Sequence, residues 1–560
     1  MKKLLPLAAL VVACVPPFFV DSYYQNMLIM VFLLAIMASG WNIMGGYTGY
    51  ISLGQSAFLG LGAYTTGILA NAWEISPFLT APLGGVAAGV LAALLGLLTA
   101  RARGTVFIIV TFALLALLGI VAVNWSSLTN GSHGLVLAIP TWDAAYANWP
   151  FYYVLLGLLA LTVLMSWAIR RSKFGIGLLA IRDDEEKAAG LGINTPRHKL
   201  LAFVASSVPI GVAGGIYGYY LSFLDPRAMF TVVASITLVL AALLGGAGTL
   251  WGPVLGALLV EPFSQWTNQQ FTGPDAGAWR LVLFGGVLLL VVLFLPHGIL
   301  PEIQKRLKRT PMTAPVGKRL ENLPVAEPVG PRTIGPALLE VTDLHKSFGG
   351  LRVLDGCSFD VRRGSITGLI GPNGSGKTTV FNLIHGTLRA DSGTISLPGA
   401  RLARTYQLTR LFPRLTVREN LLAGARRPEK AEELLDFIGL ADYADKLAGS
   451  LSYGQQKLVE LAQVLMLDPD LVLLDEPAGG INPTQIEQMA GLIRQLNSSG
   501  TTFLIVEHNM PLVLSLCDEV HVLAGGHRIA SGTPQQIQQD PLVLDAYLGA
   551  DFRELHGTNS

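Results

Sequence analysis

The chain has 560 residues, 51% of them hydrophobic and only 14% charged, with a net charge of +1. Such a length exceeds one ordinary domain, and such a composition is too apolar for an entirely soluble protein. The near-zero charge gives no electrostatic basis for nucleic acid as a partner. The distant Cys14, Cys357 and Cys517 offer neither a disulfide framework nor a zinc site.

From residue 4 to about 296 the sequence is a succession of apolar stretches. Each approaches the roughly 20 helical residues that cross a hydrocarbon core. The pattern predicts ten spans, near 4–20, 24–44, 51–70, 80–99, 104–123, 150–170, 199–221, 231–246, 250–268 and 279–296. The third, eighth and ninth are Gly-rich, as in "SLGQSAFLGLGAYTTG" and "LGGAGTLWGPVLGALL", and small residues let helices approach closely in lipid. Ser52 and Gln55 in the third read as helix-packing contacts ahead of pore-lining ones. Lys2 and Lys3 precede the first stretch, but Pro16-Pro17 stands where a cleavage site would need small residues, so a retained first helix is expected. With the N-terminus in the cytoplasm, ten crossings place Arg101, Arg103 and the Arg170–Lys199 segment inside and the 124–149 loop outside, in keeping with the positive-inside rule.

The inner segment contains "AIRDDEEKAAGLGI", with six consecutive charges: Arg182, Asp183, Asp184, Glu185, Glu186 and Lys187. In a soluble protein this would be a solvated helix face. Here it interrupts the most apolar part of the chain, on a cytoplasmic loop between the sixth and seventh spans, where Gly190 and Gly192 can end a short helix. Residues 303–337 then change character, with prolines at 311, 315, 324, 328, 331 and 336 and little to bury. This stretch reads as a linker that spans roughly 30 Å as a flexible coil. It divides a membrane domain, 1–302, from a soluble domain, 338–560.

In the soluble half, short β runs such as "SITGLI" and "LVLLD" alternate with helical stretches, which indicates an α/β domain with a mainly parallel sheet. Between "ITGLI" and "VFNLIHG" lies Gly371-Pro372-Asn373-Gly374-Ser375-Gly376-Lys377-Thr378-Thr379. Strand, Gly-rich loop and helix are the context of a Walker A motif. Backbone N–H groups there curl around phosphate, Lys377 reaches the β/γ-phosphates and Thr378 offers a hydroxyl to Mg2+. About a hundred residues on, "LVLLDEP" ends a strand with Asp475, suited to hold Mg2+, and Glu476, suited to orient and deprotonate the attacking water. "TTFLIVEH" ends another strand with His508, a sensor of the γ-phosphate. In "LSYGQQKLVELAQVLMLDPD", Leu458, Leu461, Val464 and Leu465 define a helix that Pro469 helps to stop. Ser452 and Gly454 at its start suit a phosphate held from outside.

At this point the soluble half, over essentially all of 338–560, resembles the ATP-binding cassette family. The resemblance implies that Ser452, Gly454 and Gln455 clamp ATP bound on an opposing subunit's Walker A. It also implies that Phe348 stacks on adenine and that Gln407, in "RTYQLTRLFP", links Mg2+ to the membrane part. Two residues depart from the family pattern: Tyr453 replaces a glycine, and Asn482 in "AGGINP" stands where most cassettes have Asp.

Over roughly 24–300, "SLGQSAFLGLGAYT", "TNGSHGL", "FGIGLLAIRDDEEKAAGLGINTPRHKLLAF" and "LGGAGTLWGPVLGA" resemble the permease of branched-chain amino acid ABC importers. The C-terminal "AYLG" resembles the same system's cassette. The combined resemblance implies a polytopic α-helical membrane domain fused to an α/β P-loop NTPase. It further implies ATP-driven uptake of hydrophobic amino acids across a bacterial inner membrane, with the ATPase on the cytoplasmic side. The implied partners are a second permease, a second ATPase, a periplasmic substrate-binding protein and membrane lipid. The charged run then looks like the coupling helix whose polar face docks on an ATPase. The same architecture also admits urea, short amides or aromatic acids as cargo. A homodimeric exporter, an ATP-gated channel or a non-transport ATPase would share the cassette.

Overall fold

The computed structural model describes residues 13–99, 104–140, 142–143, 146–271, 276–295, 298–307, 334–405, 409–425 and 427–547. Most of the first expected span, Arg101, Arg103, Gln407 and most of the expected linker lie outside the described residues. The backbone divides into two units, one within 1–189 and 193–312, the other within 190–192 and 313–560.

The first unit is α-helical. Its long helices are α1 (Ser22–Trp41, continued by a π-helical turn, Asn42–Gly46), α2 (Gln55–Trp73), α3 (Pro77–Thr99), α4 (Thr105–Asn124) and α5 (Trp149–Arg171). Two short helices, α6 (Lys173–Asp183) and α7 (Glu185–Gly190), lead to α8 (Thr195–Leu221), α9 (Val232–Gly245), α10 (Gly252–Gln270) and α11 (Ala276–Phe294). Among the described residues, six helices are long and apolar enough to cross a membrane, and α2, α10 and α11 add further apolar length. Each stretch expected from 24–44 onward coincides with one of these helices.

The Gly-rich sequences act through close packing. A Cβ on Gly62 of α2 would lie 2.0 Å from the Gly211 carbonyl of α8, and one on Gly256 of α10 would lie 1.7 Å from the Ala241 carbonyl of α9. Backbones at such separations admit only glycine. At the π turn, Asn42 donates to the Thr249 carbonyl (2.9 Å) and accepts from the Gly248 amide (2.7 Å), which ties the end of α1 to the loop before α10.

The charged run, expected as one polar face, is split by the backbone. Arg182 and Asp183 finish α6. Asp184 is extended, and its carboxylate accepts from the Lys187 amide (2.9 Å) to cap α7. The Arg182 guanidinium donates to the Gly46 carbonyl, and Glu185 pairs with Lys199 at 2.8 Å while also accepting from the Tyr50 hydroxyl. Lys187 is buried and Glu186 is exposed. Arg182 and Glu185 therefore turn into their own unit, because charges taken out of water there require partners. Burial would raise the Glu185 pKa, but bonds from Lys199, Tyr50 and Thr195 outweigh it and hold the carboxyl below its usual value.

The expected linker differs at its start. Residues 303–307 continue a helix, Ile299–Leu307, and Ala337 already opens the first strand of the second unit. That unit comprises β1 (Ala337–Phe348), β2 (Leu351–Arg362), β3 (Ile366–Ile370), α12 (Lys377–Ile384), β4 (Ser392–Ser396) and β5 (Leu402–Arg404). It continues with α13 (Tyr453–Leu465), β6 (Leu471–Asp475), α14 (Pro483–Ser498), β7 (Thr502–Val506), α15 (Met510–Leu516), β8 (Glu519–Ala524) and β9 (His527–Gly532). The main sheet has the order β9-β8-β3-β7-β6-β5 and is parallel except for β9; β2-β1-β4 form a smaller antiparallel sheet. Strands β3, β6 and β7 are buried at every position, as continuous apolar runs in a parallel sheet covered on both faces should be. Their C-terminal ends lie side by side, which is where open α/β sheets bind ligands.

Candidate active site

The phosphate loop leaves β3 at Gly371 and enters α12 at Lys377. Gly371, Gly374 and Gly376 have φ of +151°, +77° and +100°. A Cβ on Gly371 would lie 2.0 Å from the Leu523 carbonyl, and one on Gly376 would lie 2.6 Å from Leu354 Cδ2. All three glycines are thus required by conformation, and Gly371 and Gly376 by space as well. The Lys377 ammonium is buried and donates to the carbonyls of Gly371 and Pro372, each at 2.8 Å. Burial lowers its pKa, while Glu476 and Asp475 pull the other way. Asn373, Gly374 and Thr378 are exposed, with Pro372 and Thr379 half-buried and Ser375 buried in the turn.

At the end of β6, Asp475 is 2% exposed. Its Oδ2 accepts from Arg404 at 2.8 Å, and Arg404 also donates to Asn382 of α12 at 2.6 Å. Burial raises the Asp475 pKa, partly offset by Arg404. Oδ1 is buried with no hydrogen-bond partner among the described residues. One carboxylate oxygen held by a cation, the other bare, together with an exposed Thr378 hydroxyl, is a donor set that fits a hard divalent cation.

Glu476 follows in a left-handed conformation, φ +48°, which costs a non-glycine residue energy and persists only where surroundings impose it. Its amide donates to the Val506 carbonyl (2.9 Å), and its carbonyl accepts from Lys457 of α13 (2.7 Å). The turn sends its carboxylate outward, where Oε1 meets His508 Nε2 at 3.2 Å. The structure therefore gathers Lys377, Asp475, Glu476 and His508 at one end of the sheet.

Ser452, Gly454 and Gln455 form a separate group at the start of α13. Ser452 caps the helix reciprocally with Gln455, whose side chain accepts from the Ser452 amide at 3.0 Å. Gly454 is buried against Gln485, where a Cβ would come within 2.5 Å. Tyr453 is partly exposed and packs on Gly480. Asn482 caps α14 with a reciprocal Gln485 bond, a role Asn fills as well as Asp. Phe348 closes β1 half-exposed, with the Lys346 ammonium 5.6 Å from its ring centre. Asp391 fixes that strand end through Lys346 and the Ser347 amide, both at 2.7 Å.

Sequence reasoning missed Arg404, Lys457, Glu507 and Tyr547. Tyr547 hydrogen-bonds the Gly371 backbone, and burial raises its phenol pKa despite that bond. The sequence gives one usable signal, the acid directly before His508.

Residues 23–292 match the family of branched-chain amino acid transport system permease components, 354–479 the ABC transporter family, and 527–553 the branched-chain amino acid ATP-binding cassette transporter family. The chain is 37% identical to the high-affinity branched-chain amino acid transport ATP-binding protein LivG of Salmonella typhimurium, over 38% of this chain and 98% of that protein. BraF of Pseudomonas aeruginosa, similarly described, shows the same figures. LptB of Escherichia coli, a lipopolysaccharide export system ATP-binding protein, is 36% identical over 39% of this chain and 99% of its own length. One solved ATP-binding cassette of an ABC transporter is 33% identical, covers 38% of this chain and 98% of its own, and has a TM-score of 0.35. The chain belongs to the branched-chain amino acid ABC transporter family and carries a permease and an ATP-hydrolysing cassette on one polypeptide.

Proposed function

We propose that this chain is one fused half of an importer that takes branched-chain or other hydrophobic amino acids across a bacterial inner membrane, with its cassette in the cytoplasm. The carrying observation is that the permease match at 23–292 and the nucleotide cluster around Lys377 and Glu476 lie on one polypeptide. The proposed division is a permease at 1–302, a linker at 303–337 and an ATPase at 338–560.

In this reading Lys377 leaves the loop carbonyls for the β/γ-phosphates of ATP. Glu476 takes the proton of the attacking water, and His508, in contact with that carboxylate, senses the γ-phosphate. Thr378 and Asp475, with Gln407, would hold Mg2+, which when bound neutralises charge on the phosphates. Ser452, Gly454 and Gln455 would meet the nucleotide of a second ATPase, which closure of the pair requires. Phe348 would stack on adenine. Arg182–Lys187 would belong to the coupling segment, now narrowed to its outward residues. A second permease and a periplasmic binding protein complete the assembly.

Cassette similarity alone does not choose a direction, since a relative at 36% identity belongs to an export system. Import rests on the permease half. The test is to purify the chain with its co-purifying subunits and measure ATPase stimulation by a binding protein loaded with leucine, with short amides or with urea. Stimulation by loaded leucine-binding protein is expected. Stimulation only by amides or urea would replace the cargo, and full activity of the chain alone as a homodimer would favour export.

A further inference from the structure

We infer that Glu507 is a positioning residue for ATP hydrolysis, which locks the catalytic turn at Glu476 to the segment that carries His508. Strands β6 and β7 are parallel neighbours, with Asp475 opposite Val506. The next residue on each strand is therefore an acid, Glu476 on one and Glu507 on the other. They part at once: Glu476 turns outward through its left-handed φ, whereas Glu507 is 3% exposed.

Inside, the Glu507 carboxylate accepts from three backbone amides. Oε1 takes the Ala478 N–H at 2.7 Å, and Oε2 takes those of His508 at 2.9 Å and Asn509 at 3.0 Å. Ala478 lies two residues after Glu476, on the turn that leads to Asn482. Asn509 caps α15, accepting from the Leu512 amide at 3.0 Å. One side chain therefore ties the His508 peptide to the turn two residues after Glu476, and the side chains of Glu476 and His508 meet at 3.2 Å. Backbone N–H groups at two strand ends have no ladder partner, and an ionised carboxylate satisfies them better than any neutral group. The left-handed Glu476 also needs restraints on both flanks to persist. Glu507 supplies the one on its C-terminal side.

The test compares two variants in the full chain purified with its partner subunits. Glu507→Gln keeps the shape but offers one acceptor oxygen in place of two, the other end being an NH2 donor. Glu507→Asp keeps both oxygens and loses a methylene. Glu507→Gln should lower kcat by about 10–100-fold, as loss of a residue supporting a reacting group does, with KM for ATP changed less than about threefold. Glu507→Asp should retain more activity than Glu507→Gln. A side chain that merely fills space would give the reverse order, and Gln equal to or better than Asp overturns the inference. So does a loss confined to KM. If Glu507→Gln does not fold, hydrogen exchange on the unmodified protein decides: peptides covering 475–480 and 507–511 should exchange slowly together, and free exchange of either rejects the lock.

Discussion

The pair between Glu185 and Lys199 gives a perturbation whose size follows from the structure. Lys199 reaches Glu185 at 2.8 Å with its side chain 6% exposed and that of Glu185 18% exposed, and Tyr50 bonds to both. Removing one partner of a buried pair costs about 3–5 kcal/mol, because the other charge is left without compensation. Glu185 retains some water, so the lower end, about 3 kcal/mol, applies to Glu185→Ala. Replacing both by apolar groups of similar volume, Glu185→Leu with Lys199→Met, removes the penalty and should come within about 1 kcal/mol of the unmodified chain. Thermal unfolding of the detergent-purified chain reads this out: each single variant should unfold roughly 5 °C or more lower, with the double variant recovering most of the loss. If the double variant is as unstable as the two singles added together, the groups act independently and the reasoning fails.

Coupling should accordingly be probed at the exposed acid of the run: Glu186→Ala should lower transport more than basal hydrolysis, by about 5–150-fold for a coupling term of about 1–3 kcal/mol. Equal loss of uptake and ATPase in proteoliposomes of the whole complex would contradict it. Glu476→Gln should keep Mg-ATP binding while slowing turnover by about 10²–10⁴-fold, and near-normal hydrolysis would remove Glu476 from the general-base role. Burial raises the Asp475 pKa, so the folded state retains a proton through a window above about 3.9, the usual value for Asp. Stability from this group is present below that window and falls as pH rises through it. Mg2+ competes for the same oxygen, so Mg-ATP affinity should weaken on acidification before ordinary carboxylates titrate. Calorimetry in two buffers of different ionisation heat, repeated at descending pH, should detect proton release on Mg2+ addition that grows as pH falls, and its absence throughout would count against Asp475 as the ligand.

The helices of the membrane unit were legible because lipid imposes a length and a composition that water does not. Gly62 and Gly256 were legible as packing residues for the same reason, although their partners, the carbonyls of Gly211 and Ala241, were not. The turn of the phosphate loop was legible because Gly371, Gly374 and Gly376 stand where the backbone takes positive φ, which a side chain would strain. The charged run was only half legible. Six charges in sequence look alike, but the break at Asp184 sends Glu185 toward Lys199 and leaves Glu186 outside. The start of the linker misled for a related reason: Ile299–Leu307 is helical although its last residues are charged and sit beside the Pro-rich run.

The harder cases are acids at strand ends. An apolar run that ends in Asp475-Glu476 and one that ends in Glu507-His508 give the same one-dimensional signal, a buried strand releasing an acid at the carboxyl edge of the sheet. What separates the roles is the sign of one torsion and the direction of the amides around each carboxylate. Glu476 leaves the sheet with φ +48° and meets a side chain, His508, at 3.2 Å. Glu507 stays inside and finds three main-chain donors. A general base needs access to water and freedom to exchange a proton, and a carboxylate saturated by backbone amides has neither. In the proposed reading the half-buried acid is placed to react and the buried acid to hold it, from the same residue type at equivalent positions on adjacent strands.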